Sequence, residues 1–177
     1  MSAVLTRARI VASARGWIGT PYRHQASLRG LGCDCLGLVR GVWREVIGPE
    51  PEEPGPYAPD WAEASGLERL ADAGARHFTP VVVADFAAGD LLLFRWREGS
   101  PAKHAAIATS GARAQQYPAQ DIHFVCAFPA GSGSDTIATS GAAIVHAHEG
   151  ACVCEVVIGS QWRQRIAFAF QFPGLAD

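Results

Sequence analysis

Residues 20–45 read TPYRHQASLRGLGCDCLGLVRGVWRE, and their reading decides the fold. A turn-rich approach, Leu31-Gly32-Cys33-Asp34, delivers Cys35 to a segment in which Leu38, Val39, Val42, Trp43 and Val46 recur at helical spacing. A thiol is thereby set on the first turn of an amphipathic helix. Unpaired backbone N–H groups and the positive end of the helix dipole favour the thiolate there, so the placement predicts an acidic, nucleophilic cysteine. The competing reading is a small buried hydrophobe, the commoner fate of free cysteine.

Working outward, the composition bounds the answer. The 177 residues are 49% hydrophobic, enough for one core, and the formal net charge is −2. The basic residues are scattered, which excludes nucleic-acid binding through a basic stripe. No apolar run reaches the roughly 18 residues of a membrane span. The first residues lack an apolar core with a small-residue cleavage site, so the expectation is a chain made in the cytoplasm without a secretory signal. Of five cysteines, Cys33 with Cys35 and Cys152 with Cys154 form Cys-x-Cys pairs, and Cys126 stands alone. Such pairs raise metal or redox chemistry, but the spacing is shorter than zinc knuckles use, and a strand points both members to one side as core residues. Neither a metal nor a cofactor is expected.

Residues 2–17 read as a first helix, with Val4, Leu5, Ala8, Val11, Ala12 and Ala14 set against Arg7, Arg9 and Arg15 and with Gly16 and Gly19 stopping it. Tyr22 follows Pro21 in a turn or extended conformation. Residues 48–59, GPEPEEPGPYAP, hold five prolines and three glutamates and can be neither helix nor central strand. Asp60 then caps an expected helix over 61–74, with His77 just past its end. From there the period changes. Gly89-Asp90 opens an apolar strand to Phe94, and a strand at 103–108 carries His104 at its start. Residues 110–141 read as an insertion, containing a strand at 122–128, a Gly/Ser-rich loop at 129–134 and a polar patch at 136–141, with His123 and Cys126 structural. A strand from Ala143 carries His146 and His148 on one face, and alternating strands at 151–158 and 165–172 flank a loop with Trp162 and Arg163. Helices followed by about five or six strands predict an α+β fold, the N-terminal helices packed on a central antiparallel sheet.

The run Gly19-Thr20-Pro21-Tyr22 followed by Cys33-Asp34-Cys35-Leu36-Gly37-Leu38-Val39 resembles the Cys-box of the NlpC-type cell-wall peptidases, in which a Gly-Thr-Pro-Tyr lead-in precedes an Asp-Cys-Ser-Gly-Leu-Val helix start. Leu36 stands where that family has serine. The resemblance implies a papain-like cysteine peptidase over 1–177 as a single domain, with Cys35 rather than Cys33 as nucleophile and Tyr22 and Asp34 on the substrate and oxyanion side. It makes His104 the general base, through a His-Val-Gly-Ile-like strand, and His146 the residue that orients it, with His148 as the fallback. His-Ala-x-Glu-Gly at 146–150, Val-x-Glu-Val at 153–156, Trp-Arg-x-Arg at 162–165 and Phe-x-Phe-Pro-Gly at 170–174 resemble the branch found in phage tails and gene transfer agents. That branch implies a peptidoglycan stem peptide as substrate, cut between γ-D-glutamyl and diamino acid, with tail or baseplate proteins as partners and a particle as carrier to the cell wall. The alternatives are an idle peptidase fold serving as a structural tail component, and an amidase or acyltransferase on the same fold.

Overall fold

The computed structural model describes residues 4–58, 60–61, 65–112 and 141–176. The strand expected at 122–128, the loop at 129–134, His123 and Cys126 lie outside these residues. Helix α1 spans Arg7–Arg15, its start capped by the Thr6 hydroxyl, and it buries Ile10, Val11 and Ala14. Residues 20–45 then form two things. Strands β1 (Ser27–Leu28) and β2 (Gly32–Cys33) make a small antiparallel hairpin where the sequence predicts only a turn-rich approach at 31–34. Helix α2 follows at Cys35–Val46, and the face it buries contains Leu38, Val39, Val42, Trp43 and Val46, the predicted apolar stripe.

The helix expected over 61–74 is interrupted. Trp61 and Ser65 are helical, residues 66–68 are not, and helix α3 follows at Arg69–His77, so His77 closes the helix instead of lying beyond it. Gly66 holds a φ of +64°, which interrupts a helix drawn through it, and Arg76 and His77 in the last turn sit where cations complement the dipole. Glu52 pairs with both, tying the proline-rich segment to this helix end.

The strands that follow are β3 (Thr79–Val81), β4 (Leu91–Phe94), β5 (His104–Ala108), β6 (Ala143–Ala147), β7 (Val153–Val157) and β8 (Ile166–Gln171), with a short helix α4 (Ser160–Arg163) before the last. They form one six-stranded sheet in the order β3-β8-β4-β5-β6-β7, every neighbour antiparallel. The expected α+β architecture is therefore present. One face of the sheet, with Ile107, Val145, Val153 and Phe172, packs on α1 and α2 through Ile10, Trp17, Leu38 and Val42. The other face buries Leu92, Phe94, Ala106, Ala108, Ile144 and Ala169. The Gly89-Asp90 turn joins the layers: Gly89 takes a φ of +89°, and buried Asp90 accepts hydrogen bonds from Arg7 Nη1 at 2.6 Å and Ala87 N at 2.8 Å. At this joint the start of α1 is fixed to the start of β4.

Candidate active site

Cys35 is the first residue of α2, and Asp34 is its N-cap. The cap carboxylate, 2% exposed, accepts from Gly37 N at 2.7 Å through Oδ1, and from Gln25 N at 2.7 Å and the Tyr57 hydroxyl at 2.5 Å through Oδ2. Gln25 meets it from the left-handed region, φ +62°, a conformation that costs a non-glycine residue energy and is held by that bond. Asp34 is thus filled by the protein's own donors. Gly37 makes the approach feasible, since a Cβ there would come within 1.9 Å of the Ala26 carbonyl oxygen.

Cys35, Leu36 and Val39 line a cleft of about 830 Å³ bounded also by residues 50–58, by α3 and by Leu93 and Ala105 of the sheet. Its walls are mostly apolar, with Trp43, Trp61 and Phe78 among them. Tyr22 runs beside β2, paired with Cys33, and its phenol is pushed up to about 12, by burial first and then by the proximity of Cys35, Asp34 and Glu149. It stays a hydrogen-bond donor at neutral pH.

The thiol itself departs from the helix-start expectation. Cys35 is pushed up to about 11, by burial first and then by the Asp34 carboxylate; backbone N–H groups of Ala105, Leu36 and Cys35 pull the other way without prevailing. The capping carboxylate supplies at the same helix end the negative charge that would otherwise be favoured on sulfur. The resting group is a neutral thiol.

His104 starts β5 opposite Phe94 and is 8% exposed. Its Nε2 lies 3.1 Å from Nδ1 of His146 on β6, the rings meeting edge to face at 87°. Trp96 stacks on His104 with ring centres 5.8 Å apart, and Phe94 and Trp162 close the remaining sides. Both imidazoles are held neutral: His104 lies well below the usual histidine range and His146 falls to about 4, in each case from burial first and then from neighbouring histidines. His148 is exposed, its Nδ1 2.8 Å from the Glu149 carbonyl oxygen and its ring centre 5.9 Å from that of His146. Continuing past His146, its Nε2 lies 3.7 Å from Sγ of buried Cys154, its cross-strand partner on β7.

Among the described residues no hydrogen bond joins Cys35 Sγ to an imidazole; the two parts adjoin through Ala105, next in chain to His104 and with its N–H toward the sulfur. No group of three His, Cys, Asp or Glu side chains that could hold a metal occurs among the described residues. Trp96, Trp162, Tyr57 and Cys154 are site neighbours that the sequence does not place at the site. Only Cys154 had a signal, as the buried-phase residue of an alternating strand, and its meeting with His146 depends on register.

No protein-family model matches the chain. No curated protein matches it either. Solved structures do. The NlpC/p60 domain of the peptidoglycan hydrolase SagA is similar over 94% of this chain and 99% of its own, at 25% identity and a TM-score of 0.53. An NLP/P60-family protein similar to lipoprotein from Staphylococcus aureus (14% identity, TM-score 0.52) and an NlpC/P60-family protein from Bacillus cereus (16%, 0.56) each match over 97% of this chain. The chain spans 42% and 41% of those two. With a six-stranded antiparallel sheet faced by the Cys35 helix, and with likeness to these domains along nearly its whole length, the chain has the NlpC/p60 fold.

Proposed function

We propose that the chain is a cysteine peptidase that hydrolyses peptidoglycan stem peptides, with Cys35 as nucleophile, His104 as general base and His146 as the residue that orients it. The observation that carries this reading is a cleft-lining thiol at a helix start adjoining a buried, hydrogen-bonded pair of neutral imidazoles. The likeness to the SagA domain supports the substrate class.

Because Cys35 rests as a thiol and His104 as a neutral ring, the proton must move as the sulfur attacks. His104 Nε2 is engaged by His146, so its Nδ1 is the atom left to receive that proton. Attack on the peptide carbonyl forms the C–S bond and places the electron pair on oxygen. The Cys35 backbone N–H and the un-ionised Tyr22 phenol are the proposed donors to that oxyanion. Collapse expels the amine, which takes the proton from His104. Water then adds to the thioester, losing a proton to His104, and the second collapse returns it to sulfur. The finer reading is the γ-D-glutamyl to diamino-acid bond, with the terminal motifs at 146–174 supporting delivery by a phage-tail-like particle. A second reading is an idle fold with a structural role, favoured by the lack, among the described residues, of a Cys35–imidazole hydrogen bond.

Digestion of purified murein and soluble stem peptides by the wild type and by Cys35→Ala decides between them. The expected result is cleavage by the wild type alone, with products whose masses report a γ-glutamyl cut. Cleavage by both would remove Cys35 from the mechanism, and cleavage by neither would favour the idle reading.

A further inference from the structure

The hydrogen-bonded line from His104 does not end at His146. Its Nδ1 faces His104 Nε2 at 3.1 Å, and its other nitrogen, Nε2, lies 3.7 Å from Cys154 Sγ. The contact is built in by pairing, because His146 and Cys154 are directly opposite on β6 and β7, and both are at most 3% exposed. Water has no access to replace either partner.

Two neutral imidazoles in series carry one proton each, so the line has two directions. In the first, His104 Nε2–H donates to His146 Nδ1 and His146 Nε2–H donates to sulfur. His104 Nδ1 is then bare and can accept a proton. In the second, the Cys154 S–H donates to His146 Nε2, His146 Nδ1–H donates to His104 Nε2, and His104 Nδ1 carries the hydrogen. That direction disables the base. Only the first serves the reading of His104 as base, on which this inference rests, and it requires an acceptor beyond His146.

We infer that Cys154 is a positioning residue, its sulfur accepting the His146 Nε2–H and so fixing both histidines in the tautomer that leaves His104 Nδ1 open. Removing the sulfur leaves a buried N–H without an acceptor, while the reversed line leaves only a lone pair unmet, so truncation drives the reversal. An alcohol at the same place can still accept.

The test reads tautomers directly, from long-range 1H–15N NMR of histidine rings in the full-length protein. The wild type should show the Nε2–H form for His104 and His146. Cys154→Ala should shift both toward Nδ1–H, and Cys154→Ser should restore Nε2–H. On any peptide the wild type cleaves, Cys154→Ala should lower kcat about 10- to 100-fold, the scale of lost outer-shell partners, with KM little changed. Nδ1–H rings in the folded wild type, or Cys154→Ala spectra with both tautomers unmoved, would overturn the inference. Failure of the wild type to cleave murein would strike the substrate assignment and leave the tautomer result to stand or fall by itself.

Discussion

At the residue scale, the chemistry turns on two shifts of opposite sign that both preserve neutrality. The thiol is raised to about 11 and the base lies well below the usual histidine range, so no standing thiolate–imidazolium pair forms. Cleavage should then persist below pH 6.5 and fall only as His104 protonates, well under that value, with no rise through the ordinary thiol range near pH 8.5. A kcat profile with an acid midpoint near 6.5 would contradict this. Alkylation of Cys35 by iodoacetamide, followed by peptide mass, should climb toward a midpoint near 11. Asp34→Asn should move that midpoint down, because the second-largest contribution to the rise is the carboxylate's charge. Placement was the most legible level: Cys35 begins a helix as its surroundings predict, and His104 and His146, which the motif resemblance pairs, do meet. What could not be read was ionisation. Burial and the position of a capping carboxylate decide it, and both are properties of the packed state.

Among the elements, the α2 stripe and the strands at 89–94, 103–108, 143–147 and 151–158 were legible because period and turn residues agree with the packing. Others were not, among them β3 and the short helix α4, whose residues read as a loop. The β1–β2 hairpin has strands of two residues each, too short to show alternation. The break before helix α3 was not legible either, because its buried residues, Leu70, Ala71 and Gly74, continue a spacing that also fits Leu67, leaving Gly66 to set the break. The hairpin and α2 meet at Gly37, where an added methyl would run into the Ala26 carbonyl at 1.9 Å. Gly37→Ala is therefore expected to destabilise the protein by about 2 kcal/mol or more, on the scale of overpacking against immovable atoms. Urea unfolding of the purified variant measures it, and a loss under about 0.5 kcal/mol, the range of surface substitutions, would show that the hairpin yields.

For the whole molecule, burying two neutral imidazoles has a thermodynamic cost on the acid side. His146 titrates at about 4 when folded against about 6.5 in an unfolded chain. Above pH 6.5 both states are neutral and the ring contributes nothing. As pH falls from 6.5 toward 4, the unfolded chain binds a proton that the native ring refuses, so stability drops by up to about 1.4 kcal/mol per pH unit. His104, also lowered by burial, adds a second slope of the same sign. Unfolding free energies taken between pH 6.5 and 5, above the carboxylate range, should show the fall, and His146→Gln should shallow it by one proton's worth.

Sheet order was the part of the molecule that patterning could not supply, since it depends on which strands meet across long separations. Its consequence is temporal. Among the described residues the last strand in sequence, β8, lies between β3 and β4 and is the only strand paired with β3. During synthesis β4 and β5 can pair early, but one flank of the sheet must wait for residues 166–171 to leave the ribosome. Phe170 and Phe172, which complete the packing under α2 and α3, arrive with them. Closing contacts across such sequence separations is slow. The nascent chain therefore carries its thiol from early in synthesis, and gains its second imidazole only at His146, without the platform that aligns them, so maturation of the site is deferred until β8 has emerged.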